Sequence, residues 1–108
     1  MVEAAVIEQV EAYLASLPSF GIHARCGVLF GSFATGQAGP DSDIDLVVVA
    51  PEFDDLCDAA LVKALWRATV ADNRIEPIPC GEAEWAGGDG RPILDIARQE
   101  GVMVEAHR

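Results

Sequence analysis

The sequence predicts a small α/β (α+β) fold, a mixed sheet of about four strands with helices packed on it. Three observations carry that expectation. Two apolar runs, Val28-Leu29-Phe30 and Leu46-Val47-Val48-Val49, flank a stretch rich in Gly, Ser and Asp, which reads as two strands joined by a loop. Apolar residues recur at helical spacing before the first run and after the second. Hydrophobic residues make up 51% of 108, enough for one core but not for a separate acceptor-binding domain, so residues 1–108 are expected to form a single domain.

Residues 3–17 carry Val6, Val10, Tyr13, Leu14 and Leu17 opposite Glu3, Glu8, Glu11 and Ser16, the pattern of a helix lying on a sheet. Pro18 and Gly21 end it. Residues 22–30 alternate loosely and finish apolar, which predicts the first strand. His23 and Arg25 fall near its start, and His23 reads as a surface residue. Gln37 to Ser42 form the loop, and the second strand spans 43–50. Its run Leu46 to Ala50 has no polar face, so it belongs in the sheet interior. Pro51 breaks it.

A second helix is expected from about Glu52, with Asp54 and Asp55 in its first turn, where the helix dipole favours acids. It continues through Leu56, Leu61, Leu65, Ala68 and Thr69 and is capped at Asn73. Residues 74–79 read as a third strand, in which Pro77 suits an edge better than an interior. Gly81 to Arg91 is a connector with one helical turn at Glu82 to Trp85 and a glycine-rich part, Gly87-Gly88-Asp89-Gly90. Pro92 opens a last helix, Gly101 stops it, Val102 to Val104 supply the final strand, and His107-Arg108 fray. Trp66 and Trp85 are expected in the core.

The chemistry concentrates in residues 31–46, GSFATGQAGPDSDIDL. Side chains of a strand repeat on one face about every 6.6 Å, so Asp43 and Asp45 point one way while Ile44 enters the core. Two carboxylates this close raise each other's pKa or require a cation between them, and oxygen-only ligands suit Mg²⁺ or Mn²⁺ with phosphates completing the shell. Gly31 has no Cβ to keep a phosphate from the backbone, and Ser32 adds a hydroxyl.

Gly31-Ser32, Gly36 and Ser42-Asp43-Ile44-Asp45-Leu46 resemble the signature of the DNA polymerase β superfamily of nucleotidyltransferases. In length and layout the chain is most similar to the minimal nucleotidyltransferase group, whose pattern runs GSxARG, a short loop, then SDxDLxV. Thr35 stands where that group usually carries Arg, which removes a cation and a phosphate fork. Lys63 and Arg67, one turn apart on the second helix, are candidates to replace it. The resemblance implies a nucleotidyltransferase fold resembling the polymerase β palm. It also implies a nucleotide site at Gly31, Ser32, Thr35 and Gly36, with catalytic and metal-binding carboxylates at Asp43, Asp45 and a third acid from the next strand. Glu76 is the acid that strand offers.

Lys plus Arg is 7 against 18 Asp plus Glu, so the formal charge is 7 − 18 = −11. Such a surface repels a phosphate backbone and argues against direct nucleic-acid binding and template-directed polymerisation. The odd, scattered cysteines Cys26, Cys57 and Cys80 argue against a disulfide framework or zinc site. With no leader or membrane-spanning run, the protein is expected in the cytoplasm. The resemblance further implies an NTP, most simply ATP, as substrate and a helical HEPN-type protein as partner, in the manner of an antitoxin with its toxin. Association with copies of itself stays open, as do two rivals: a neutralising partner that kept the fold but not the chemistry, and a nucleotide sensor.

Overall fold

A computed structural model describes residues 4–39, 42–54, 59–71, 74–87 and 91–105. The expectations at Glu3, Asp55, Leu56, Cys57, Asn73, Gly88, Asp89, Gly90, His107 and Arg108 lie outside the described residues. Helix α1 (Ala4–Ser16) buries Val6, Val10, Tyr13 and Leu14 along one side, as its spacing predicts. It runs into a 3₁₀ turn, Leu17–Phe20, with Pro18 in its first turn and left-handed Gly21 at its end. Strand β1 (Cys26–Phe30) follows, then the single-turn helix α2 (Ser32–Thr35) and strand β2 (Ile44–Val49). A 3₁₀ turn at Pro51–Phe53 precedes helix α3 (Ala59–Arg67), which tightens into a further 3₁₀ turn, Ala68–Ala71. Strand β3 (Ile75–Cys80), helices α4 (Glu82–Gly87) and α5 (Pro92–Glu100), and strand β4 (Val102–Glu105) complete the described chain.

The four strands form one mixed sheet in the order β3-β2-β1-β4. β1 runs antiparallel to both β2 and β4, and β2 is parallel to β3. Both faces are covered. On one, α1 and α3 bury Val10, Leu14 and Leu65 against Leu29, Leu46 and Val48. On the other, Leu94 and Ala97 of α5 meet Val28, Val47 and Val49. Tyr13 ties the first layer together, its hydroxyl donating to the Leu65 carbonyl at 2.7 Å. No helix among the described residues is long and apolar enough to cross a membrane.

β2 is interior, as its unbroken apolar run requires. β3 is an edge strand. The Ile44 N–H donates to the Arg74 carbonyl at 2.7 Å and the Ala50 N–H to that of Cys80 at 3.0 Å, so even-numbered residues of β3 turn their backbone groups toward β2. Pro77 and Pro79 therefore fall where the missing N–H would have faced the open side.

Several expectations are corrected. Residues 22–25 do not extend β1: the Ile22 N–H is drawn back to the Leu17 carbonyl at 3.1 Å and the His23 N–H to the Glu52 carboxylate at 2.9 Å, so strand pairing begins later. Asp54 closes a 3₁₀ turn rather than starting a long helix, and its carboxylate accepts from Ala83 N–H at 2.7 Å. Trp66 is 47% exposed, because Leu65 and Ala68 take the inward positions of that turn. Trp85 is half-buried under the Arg98 guanidinium, 4.7 Å from the ring centroid. Cys26 and Cys80 are buried free thiols, and burial pushes both pKa values up, that of Cys80 to about 11, which keeps them unreactive near neutrality.

Candidate active site

The exit of β1 and the entries of β2 and β3 meet at one end of the sheet. Register pairs Asp45 with Phe30 on one side and with Glu76 on the other, and neighbouring strands lie about 4.8 Å apart. Alternation places Asp45 with Val47 and Val49, and Glu76 with Ile78 and Cys80, on the face that α5 covers. Asp43 is exposed just before β2, and its charge acts on both other acids.

Gly31 makes the corner possible. Its φ of 77° and ψ of −150° turn the chain from β1 straight into α2, a conformation that side chains disfavour. A Cβ here would also run into the Asp45 carboxylate, so that carboxylate lies over the bare Cα. The Gly31 carbonyl accepts from the N–H groups of Ala34 and Thr35, both at 3.1 Å, while its own N–H donates to Glu100 Oε1 at 3.0 Å. Ser32 is half-buried beside it, and Thr35 and Gly36 are exposed. The Thr35 hydroxyl turns back onto the carbonyls of Gly31 and Ser32, at 3.2 and 3.5 Å. Gly36 closes the turn in a left-handed conformation.

These acids crowd one another. Burial, then the charges of Asp43 and Glu100, hold the Asp45 carboxyl above the usual carboxylate range, against the lowering effect of a hydrogen bond from Glu76. Glu76 is raised by desolvation, by the Asp43 charge and its hydrogen bond, and by Asp45 in the same two ways. The carboxyls of Asp45 and Glu76 are thus both held more readily protonated than free side chains, by burial and by neighbouring acids. Among the described residues no group of three His, Cys, Asp or Glu side chains is disposed to hold a metal as it stands. The donor set nonetheless fits a hard divalent ion: it is all oxygen and bears excess negative charge that a cation would offset.

Two participants were not visible in the sequence reading. Glu100 closes α5 and reaches the Gly31 N–H across 69 residues. An acid in the last turn of a helix opposes the dipole, and that misfit is a signal that could have singled it out. Arg74 precedes β3, donates to the Ser42 carbonyl at 3.2 Å, and lies 5.2 Å from the Phe33 ring centroid. No local pattern announces that reach. Lys63 and Arg67 are exposed on α3, which packs on the sheet face opposite Asp45 and Glu76. His23 lies at the other end of β1, its Nδ1 3.0 Å from Glu52 Oε2.

Comparisons with known proteins bear on the family and the fold. Residues 27–82 match the family model of the nucleotidyltransferase domain. They make up just over half of the chain and include β1 from Gly27 on, the Gly31 corner, both aspartates and Glu76. A chain from a crystal structure of a toxin-antitoxin with AMP-PNP superposes with a TM-score of 0.57 over 94% of this chain and 74% of its own, at 18% identity. That is a likeness of fold. No curated protein matches significantly.

Proposed function

The chain belongs to the nucleotidyltransferase domain family, and from that premise we propose that it transfers a nucleoside monophosphate from an NTP, ATP in the simplest case, to an acceptor hydroxyl, with pyrophosphate leaving. The observation that carries this reading is the meeting of Asp43, Asp45 and Glu76 at the Gly31 corner, with Asp45 and Glu76 both raised by burial and then by their acidic neighbours. Asp43, Asp45 and Glu76 are the residues that would hold Mg²⁺ or Mn²⁺. When bound, such an ion supplies charge at the phosphate oxygens and lowers the pKa of the attacking hydroxyl. Gly31 and Ser32 receive the β and γ phosphates, and Glu76, once ionised, accepts the proton of the acceptor. Most of the rate then comes from positioning and charge.

The acceptor is proposed to sit on a second protein, in the cytoplasm. Three features favour this. The fold neighbour was crystallised as a toxin-antitoxin with AMP-PNP. Ile93 and Ile96 of α5 and Met103 of β4 are exposed, at 38%, 47% and 57%, apolar side chains open to a partner surface. A net charge of −11 suits a basic partner such as an RNA-cleaving HEPN toxin. The rival, neutralisation without chemistry, draws on Thr35, whose hydroxyl is spent on its own helix. Incubation with α-³²P-ATP and Mg²⁺, with and without the candidate partner, separates the readings. Label on the partner is expected. Nucleotide binding without transfer would leave a sensor, and complex formation with neither would leave a neutraliser.

A further inference from the structure

Four carboxylates act on one another at the Gly31 corner: Asp43, Asp45, Glu76 and Glu100. A nucleoside triphosphate brings several more negative charges to that place, so the protein needs a cation there. Lys63 and Arg67 belong to the helix on the other face of the sheet.

Contacts among the described residues hold Arg74 beside the corner. Its carbonyl accepts from Ile44 N–H at 2.7 Å, the residue between the two aspartates. Its Nη2 donates to the Ser42 carbonyl at 3.2 Å, at the end of the loop. Its guanidinium rests against Phe33, next to Ser32, at 5.2 Å from the ring centroid. A guanidinium presents five donors in a fork, which lets one group hold a carbonyl and a phosphate together. Because stacking and the carbonyl already fix it, little ordering is lost when a ligand arrives.

Resting on the nucleotidyltransferase reading above, we propose that Arg74 binds the polyphosphate of the substrate. It thereby supplies from the start of β3 the charge that Thr35 does not supply from α2. The test is ATP affinity in the presence of Mg²⁺, measured by calorimetry, with thermal stability of each variant recorded. Arg74→Gln is expected to weaken ATP binding about 10- to 100-fold, and Thr35→Arg placed in that variant is expected to regain most of the loss. A role confined to pinning the loop would not be rescued from position 35. Unchanged affinity in Arg74→Gln, or no recovery in the double variant, overturns the assignment. Should Arg74→Gln fail to fold, the wild-type protein decides. The Arg74 Nε–H resonance, identified by its absence from Arg74→Lys, is expected to move on ATP addition, and a stationary signal at saturating ATP overturns the proposal. A wild-type protein that binds no ATP would instead defeat the transferase reading itself.

Discussion

The two ends of the sheet treat charge in opposite ways. At the end formed by Cys26, Val49 and Cys80, acids are matched: Arg91 contacts Glu84 through two nitrogens, at 3.0 and 3.1 Å. Arg98 there binds Asp95 and the backbone carbonyls of Glu84 and Trp85. A cavity of about 410 Å³ lies at this end, lined by Arg25, Trp85 and Met103 among others, yet its ionisable groups are largely satisfied. At the Gly31 end the acids oppose one another. The contrast sets the end proposed to take a charged ligand, where acids face acids, against an end where they face arginines.

The largest test of that contrast is catalytic. Asp45→Asn is expected to lower nucleotide transfer by ~10²–10⁴-fold, whereas Glu84→Gln at the matched end should leave the rate within about twofold; radiolabel transfer measures both. Equal losses would erase the distinction between the ends.

Next in size is a backbone effect. Gly31→Ala is expected to cost ~2–4 kcal/mol by urea unfolding, since it combines a positive φ with overlap on the Asp45 carboxylate. Gly36→Ala, with a similar φ of 79° but nothing near its Cβ position, should cost only ~1 kcal/mol.

A smaller effect runs in the stabilising direction. The folded-state pKa values of Asp45 and Glu76 are raised, so the native protein binds more protons than the unfolded chain just above the ordinary carboxylate range. Their contribution to stability is therefore full at acid pH and is lost as pH rises through the raised values. Without divalent ions, Asp45→Asn should raise Tm at pH 7 by ~2–4 °C, what about half a kcal/mol gives in a domain of this size. It should also flatten the fall of Tm with rising pH. A lower Tm in Asp45→Asn would mean that the crowding is already relieved.

The smallest effect belongs to the matched end. Arg25→Ala removes an ion pair of 3.5 Å whose arginine is 75% exposed, and its unfolding free energy is expected to move by less than ~0.5 kcal/mol.

What could be read from residues alone follows from how local each cause is. The interior strand announced itself, because Leu46 to Ala50 leave no polar face, and so did α1, whose buried residues repeat at one spacing. The family resemblance rests on a stretch of 16 residues, 31–46, bracketed by strands, and the matched family region encloses it. Ile22 and Ala24 misled, being buried at alternate positions outside the strand, since the N–H groups of Ile22 and His23 are taken by Leu17 and Glu52. Trp66 misled because size and apolarity suggest a core while helix geometry had already assigned the inward sites to Leu65 and Ala68. Glu100 and Arg74 stayed hidden for a different reason: each reaches the site only after the chain has crossed the sheet, and neither carries a local mark of where it will end up.

The two prolines of β3 have a consequence for assembly. A sheet can grow by accepting a strand from another molecule wherever an edge shows an uninterrupted row of hydrogen-bond donors. Along β3 that row is broken twice, at Pro77 and Pro79, within three residues of Glu76. The outer border next to the acidic corner thus resists being zipped into a neighbour's sheet, and aggregation has a poor foothold beside the chemistry.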